Sequence, residues 1–170
     1  MKRILLVFFA CLFVCPSNAE DKQESDVQNI RKIAEEYFTV YAERKNYEAL
    51  MSFYSDEMTL EDMIFGFHAP NKGVFRDFFD WNRGGFSVID DKPALVITGQ
   101  VTDGNSVVTR GYFNSFIYEG VEHGPWRFVT WLDFDEFGKI VKHTDWINYT
   151  PREKFLGGEN LNERVFEMNK

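Results

Sequence analysis

The apolar residues change period once along this chain, at Gly84-Gly85, and that switch constrains the fold more than any other feature. Before it, Val27, Ile30, Ile33, Ala34, Tyr37, Phe38 and Tyr41 recur every three or four residues, the spacing of one helix face, with Asp26 placed to cap the start. Asn46 marks a break, and Tyr47 to Tyr54 reads as a short second helix ended by Ser55-Asp56-Glu57. Met58 to Phe67 alternates like a strand, Pro70 to Gly73 makes a turn, and Val74 to Trp81 spaces its Phe residues as a third helix. After the two glycines the chain reads as β. Phe86 to Ile89, Ala94 to Val101, Ser106 to Tyr118, Trp126 to Phe134 and Lys139 to Tyr149 are rich in β-branched and aromatic residues. Turn signals part them at Asp103-Gly104, Glu119-Gly120, His123-Gly124 and Phe137-Gly138. Three helices followed by hairpins predict an α+β domain, with the helices packed on a curved antiparallel sheet.

The N-terminus has a different character. Lys2 and Arg3 precede an uncharged apolar run from Ile4 to Val14; Pro16 breaks it, and Ser17-Asn18-Ala19 offers small residues before Glu20. This is the layout of a signal peptide, so residues 1–19 are expected to be removed and the mature chain to be periplasmic or secreted. The run is shorter than the roughly 20 apolar residues of a membrane anchor, and no later run replaces it. A lipid-modified Cys15 is the rival reading, disfavoured by the bulky Val14 before it. Cleavage takes both cysteines, Cys11 and Cys15, so packing rather than a disulfide must hold the mature domain. It also takes Lys2 and Arg3, leaving 17 of the 19 basic residues against 27 acidic ones and moving the net charge from −8 to −10. So acidic a chain is unsuited to neutralising the phosphates of a nucleic acid. After a polar lead-in, 20–26, residues 27–150 suit one domain, and 18 Phe can furnish a core or a pocket. The tail, 151–170, carries a loose helix from Asn160 to Met168.

Two stretches carry a resemblance. Thr59 to Asp62 with the turn ending at Gly73 and Val74 to Phe79 resembles the opening half of SnoaL-like and ketosteroid-isomerase-like proteins. Gly138 to Val141 followed by His143 and Asp145 is similar to the closing strand of the SnoaL-like family, within the NTF2-like superfamily. The resemblance spans Val27 to Tyr149. It implies a cone-shaped α+β barrel around a pocket for a small apolar ligand, a homodimer formed through the sheet, and chemistry without a cofactor. The superfold hosts enzymes, carriers and binding modules alike, so the site must decide.

Alternation puts His143 and Asp145 on one face of their strand with Val141 and Ile147. In an apolar cone burial raises a carboxyl's pKa and an adjacent imidazolium lowers it, which can tune a base toward neutrality. By resemblance Asp145 is the acid/base of a cyclase-like reaction, with His143 or Thr130 as donor to a developing oxyanion. Asp62 falls where ketosteroid isomerases hold their proton-moving Asp. Counting from it without gaps puts Phe38 at their Tyr position, and counting from Gly138 puts Thr130 at their protonated Asp. An enolate would lack those two donors, which argues against steroid-isomerase chemistry. Phe38, Tyr41, Phe113, Phe128 and Thr130 are the candidate ligand-binding residues, with Phe53, Phe65, Phe78, Phe116, Trp131 and Trp146 as further aromatics of core or pocket. His68, His123 and His143 have no metal-ligand spacing, so no metal is expected. Each acid also has a structural reading, Asp62 as a salt-bridged or rim acid and His143-Asp145 as a pair bonded across the sheet. Enzyme, binding module and a cone filled by its own rings all remain open to the sequence.

Overall fold

Asn46 and Asn71 start two of the helices by the same device: each side-chain oxygen accepts a backbone N–H three residues on, from Ala49 and from Val74, at 3.0 Å. In the computed structural model, which describes residues 17–149 and 165–168, these helices are α2 (Tyr47–Ser52) and α3 (Lys72–Phe78). Ahead of them runs α1 (Ser17–Glu43), and α4 (Val165–Met168) lies near the C-terminus. Most of the expected leader, 1–16, and the tail from 150 to 164 lie outside the described residues. Helix α1 begins well before Val27: the polar lead-in is helical and Asp26 is an interior residue rather than a cap. Glu, Lys and Gln are good helix formers without any apolar stripe, so the periodicity missed that first part.

Among the described residues nine strands follow the helical opening or interrupt it: β1 (Tyr54–Asp62), β2 (Phe67–Ala69), β3 (Ser87–Val88), β4 (Leu95–Asp103), β5 (Ser106–Phe113), β6 (Phe116–Tyr118), β7 (Val121–His123), β8 (Trp126–Phe134) and β9 (Ile140–Ile147). Six form a sheet in the order β2-β1-β9-β8-β5-β4, and β3-β6-β7 form a second, smaller one. The large sheet is mixed, not wholly antiparallel. The hairpins β4-β5-β8-β9 alternate in direction, but β1 pairs with β9 in parallel, Leu60 facing His143 and Asp62 facing Asp145. Hairpins force antiparallel neighbours; β1 and β9 are joined by no hairpin, and their direction is set by how the whole sheet closes.

Other boundaries move too. Tyr54 opens β1 instead of ending the second helix, and the expected long strand Ser106 to Tyr118 divides at Asn114-Ser115. Asn114 is buried there, its amide donating to Pro93 O at 2.7 Å. At the periodicity switch, Gly84 has φ +70, and a Cβ on it would stand 2.2 Å from the Tyr118 ring. Only glycine permits that crossing of the loop over β6. Helix α1 lays Ile30, Ala34, Tyr37, Phe38 and Tyr41 on the inner face of the sheet, where they meet Tyr54, Phe75, Phe113, Phe128 and Leu132 in one core.

Candidate functional site

Strand alternation sets the site. Along β9, His143 and Asp145 face inward while Lys142 and Trp146 face out, as the face-sharing of residues two apart requires. Register then brings Thr130 of β8 and Asp62 of β1 level with Asp145, so three polar side chains lie in one row across the sheet. Thr130 Oγ1 donates to Asp145 Oδ1 at 2.5 Å. His143 Nε2 stands 3.0 Å from the same oxygen. The carboxylate lies off the ring's N–H axis, however, and Nε2 is left buried without a hydrogen bond. On the other side of the ring, Nδ1 is 2.9 Å from Tyr54 Oη, which is 2.7 Å from Tyr37 Oη. The Tyr54 and His143 rings are near parallel, 13° apart.

Asp62 is the last residue of β1, and its role is different. Oδ1 accepts the backbone N–H groups of Ile64 (3.1 Å) and Phe65 (2.9 Å), and Oδ2 accepts from Tyr149 Oη at 2.5 Å. The turn is tightened by Gly66 N donating to Asp62 O. Ile64, two residues beyond Asp62, sits in this turn and is exposed, as is Phe65 at 63%. Asp145 keeps 14% of its side chain exposed, and its Oδ2 has no hydrogen-bond partner among the described residues. Among those residues, no Lys or Arg forms an ion pair with either acid. Burial pushes the phenols of Tyr37, Tyr41 and Tyr54 up, and the charge of Asp145 pushes them further. Burial and then the bond to Asp62 push Tyr149 the same way. All four stay protonated, as fixed donors rather than acids.

The five candidate ligand-binding residues are buried; Tyr41, Phe113 and Phe128 pack in a row, Phe38 packs on Tyr37, and Thr130 is bonded to Asp145. Tyr41 and Phe113 have ring centroids 5.9 Å apart, Phe113 and Phe128 5.1 Å, Tyr37 and Phe38 4.9 Å. Five clefts among the described residues lie elsewhere, and Asp62, His143 and Asp145 line none of these five. One of about 680 Å³ opens on the outer face of the sheet, where Phe128 and Ile147 reach its wall beside Arg110, Val129 and Trp146. Another, about 430 Å³, has Phe38 between α1 and β4. Trp131 and Trp146, named with the aromatics of core or pocket, stand on the outer face instead. Among the described residues there is no group of three or more His, Cys, Asp or Glu placed to hold a metal ion, and no helix long and apolar enough to cross a membrane. Sequence reasoning missed Tyr37, Tyr54 and Tyr149. Ungapped counting landed on Phe38, one residue from the Tyr that points at the site, and Tyr54 was read as the end of a helix.

No family model matches the chain, and neither does any curated protein. Solved structures do: 310 chains match, so the fold is widely used and cannot by itself name a reaction. A protein assigned as a SnoaL-like polyketide cyclase from Shewanella putrefaciens aligns with TM-score 0.59 and 20% identity over 71% of this chain and 90% of its own. One assigned as a ketosteroid isomerase from Kribbella flavida gives 0.56 and 16%, covering 79% and 92%. An LEH-like epoxide hydrolase from M. tuberculosis gives 0.57 and 14%, covering 72% and 80%. At such identities the likeness establishes the fold, the NTF2-like cone of SnoaL-like proteins.

Proposed function

We propose that this NTF2-like cone moves protons on a small apolar carbonyl compound without a cofactor, in the manner of a cyclase, isomerase or dehydratase, with Asp145 as the base. One observation carries the reading: Asp145 has one oxygen fixed by Thr130 and His143 while the other has no hydrogen-bond partner among the described residues. A base needs that division, one atom to orient the group and one lone pair to take a proton. Asp145 Oδ2 removes a proton from the carbon beside the carbonyl. The C–H bonding pair becomes the C=C bond of an enolate while the carbonyl π pair moves to oxygen, and the Nε2–H of His143, which makes no hydrogen bond at rest, is the donor to that oxyanion. The proton returns from Asp145 to the product. Asp62 assists by holding the turn and Tyr149 at the rim.

The test is deuterium uptake. The purified mature protein is incubated in D2O with a panel of small cyclic ketones and enones, and exchange beside the carbonyl is followed by mass spectrometry. Wild type exchanges at least one member, and Asp145→Asn, with unchanged circular dichroism, loses about 100-fold or more. Exchange by Asp145→Asn at the wild-type rate, or by neither protein, overturns the reading.

A second reading is a non-catalytic binding or accessory module of the cell envelope, which the cleft that Phe38, Leu95 and Ile97 line between α1 and β4 would serve. Native mass spectrometry of protein from its own cells, finding an apolar ligand that is never turned over, favours this one. Either way we place its action outside the cytoplasm after cleavage following Ala19. N-terminal sequencing of the exported protein should begin at Glu20.

A further inference from the structure

We propose that Tyr54, held by Tyr37, fixes His143 as the neutral tautomer with its proton on Nε2, and through that proton positions Asp145. The reasoning is a count of donors and acceptors in a closed space. Tyr37 is fully buried and His143 nearly so, and the only hydrogen-bond partner of the Tyr37 hydroxyl among the described residues is Tyr54. Each hydroxyl brings one proton. In one arrangement Tyr37 donates to Tyr54 and Tyr54 donates to His143 Nδ1. Both hydroxyl protons then have acceptors, the ring proton is on Nε2, and it faces Asp145 Oδ1 at 3.0 Å.

The reverse arrangement fails at both ends. A proton on Nδ1 would donate to Tyr54, Tyr54 would donate to Tyr37, and the Tyr37 hydroxyl proton would be left buried with no acceptor. The bare lone pair of Nε2 would meanwhile face the Asp145 carboxylate. The two ends of the ring therefore select the same tautomer. Because the carboxylate lies off the N–H axis, the polar N–H holds Asp145 through its dipole without occupying a lone pair in a linear bond. Tyr54 is thus a positioning residue, acting through His143 and not on a substrate. That role rests on the reading of Asp145 as the base; the tautomer does not.

Long-range 1H–15N correlation on 15N-labelled protein reads the tautomer directly. The chain has three histidines, and His68→Asn and His123→Asn remove the other two signals. Wild type is expected to show a protonated Nε2 and a bare, hydrogen-bonded Nδ1. Tyr54→Phe shifts Nδ1 away from its hydrogen-bonded position and mixes the tautomers, while Tyr37→Phe keeps the Nε2 proton. In the deuterium assay Tyr54→Phe lowers kcat and leaves KM. A wild-type proton on Nδ1, a doubly protonated ring, or His143 nitrogen shifts unmoved in Tyr54→Phe overturns the proposal; the wild-type spectrum decides even if Tyr54→Phe does not fold. Absence of exchange activity with a protonated Nε2 would sink the Asp145 reading alone. Exchange with the proton on Nδ1 would sink this one alone.

Discussion

Asp62 and Asp145 lie side by side on adjacent strands, yet the chain uses them differently. Asp62 has both oxygens engaged, in the Ile64-Phe65 turn and with Tyr149, whereas Asp145 has one. Asp62→Ala strands the Tyr149 hydroxyl and two backbone donors, and a buried donor left without its partner costs about 1–3 kcal/mol. We expect Asp62→Ala to lower the urea midpoint clearly and Asp145→Asn to change it little; equal losses would mean that Asp145 is structural as well. The buried phenols make a second prediction at this scale. Tyr37, Tyr41, Tyr54 and Tyr149 are all raised above the ordinary 10.0. A group raised in the folded state gives stability that is intact below its unfolded value and lost above it, because there the unfolded chain sheds the proton first. Arg44, which burial lowers to about 10, acts in the opposite sense, but it is one group against four. Unfolding free energy from urea titrations should be level to about pH 9, then fall by as much as about 1.4 kcal/mol per pH unit for each phenol. A level curve to pH 11 would show those rings are not buried as described.

Among the elements, β8 and β9 were the most legible. Their alternation is local, so His143 and Asp145 could be put on one face of their strand from sequence, though not which face is inner, and β8 runs from Trp126 to Phe134 as read. Other features depend on partners far along the chain. No Gly or Pro parts α2 from β1, so Tyr54 passed for helix. The parallel pairing of β1 with β9, which sets Asp62 beside Asp145, has no turn signal at all. Helix residues one apart point about 100° away from each other, which is why a slip of one exchanged Tyr37 for Phe38. Richness in Phe did not reveal whether rings would line a hollow or fill it, because both need the same residues. Gly111 of β5 tests the filled arrangement. A Cβ there would stand 2.2 Å from Val96 O and 2.9 Å from Phe128 Cζ. The carbonyl belongs to the β4 ladder and cannot withdraw cheaply, so Gly111→Ala should cost about 1–3 kcal/mol in urea unfolding. A neutral result would mean that β4 and β5 have room between them and Phe128.

At the scale of the molecule, the described helices α1, α2 and α3 pack on one face of the large sheet. Its other face carries Val101, 68% exposed, with Val129, Trp131 and Trp146, around the cleft that Arg110 and Arg127 help to line. Trp131 is 44% exposed, and its indole N–H is already given to Asp133, so its ring offers apolar surface and little else. Exposed apolar side chains grouped on one face often mark a contact surface. A second copy is the occupant we expect: a two-fold axis would lay this face on itself, and a lasting contact needs about 800 Å² from each partner. Sedimentation equilibrium of the mature protein at micromolar concentration should then give a dimer. Trp131→Glu would set two carboxylates across the axis and yield a monomer with the same circular dichroism, since the side chain takes no part in the core. A monomeric wild type, or a Trp131→Glu protein that remains dimeric, would assign the exposed tryptophans to some other contact.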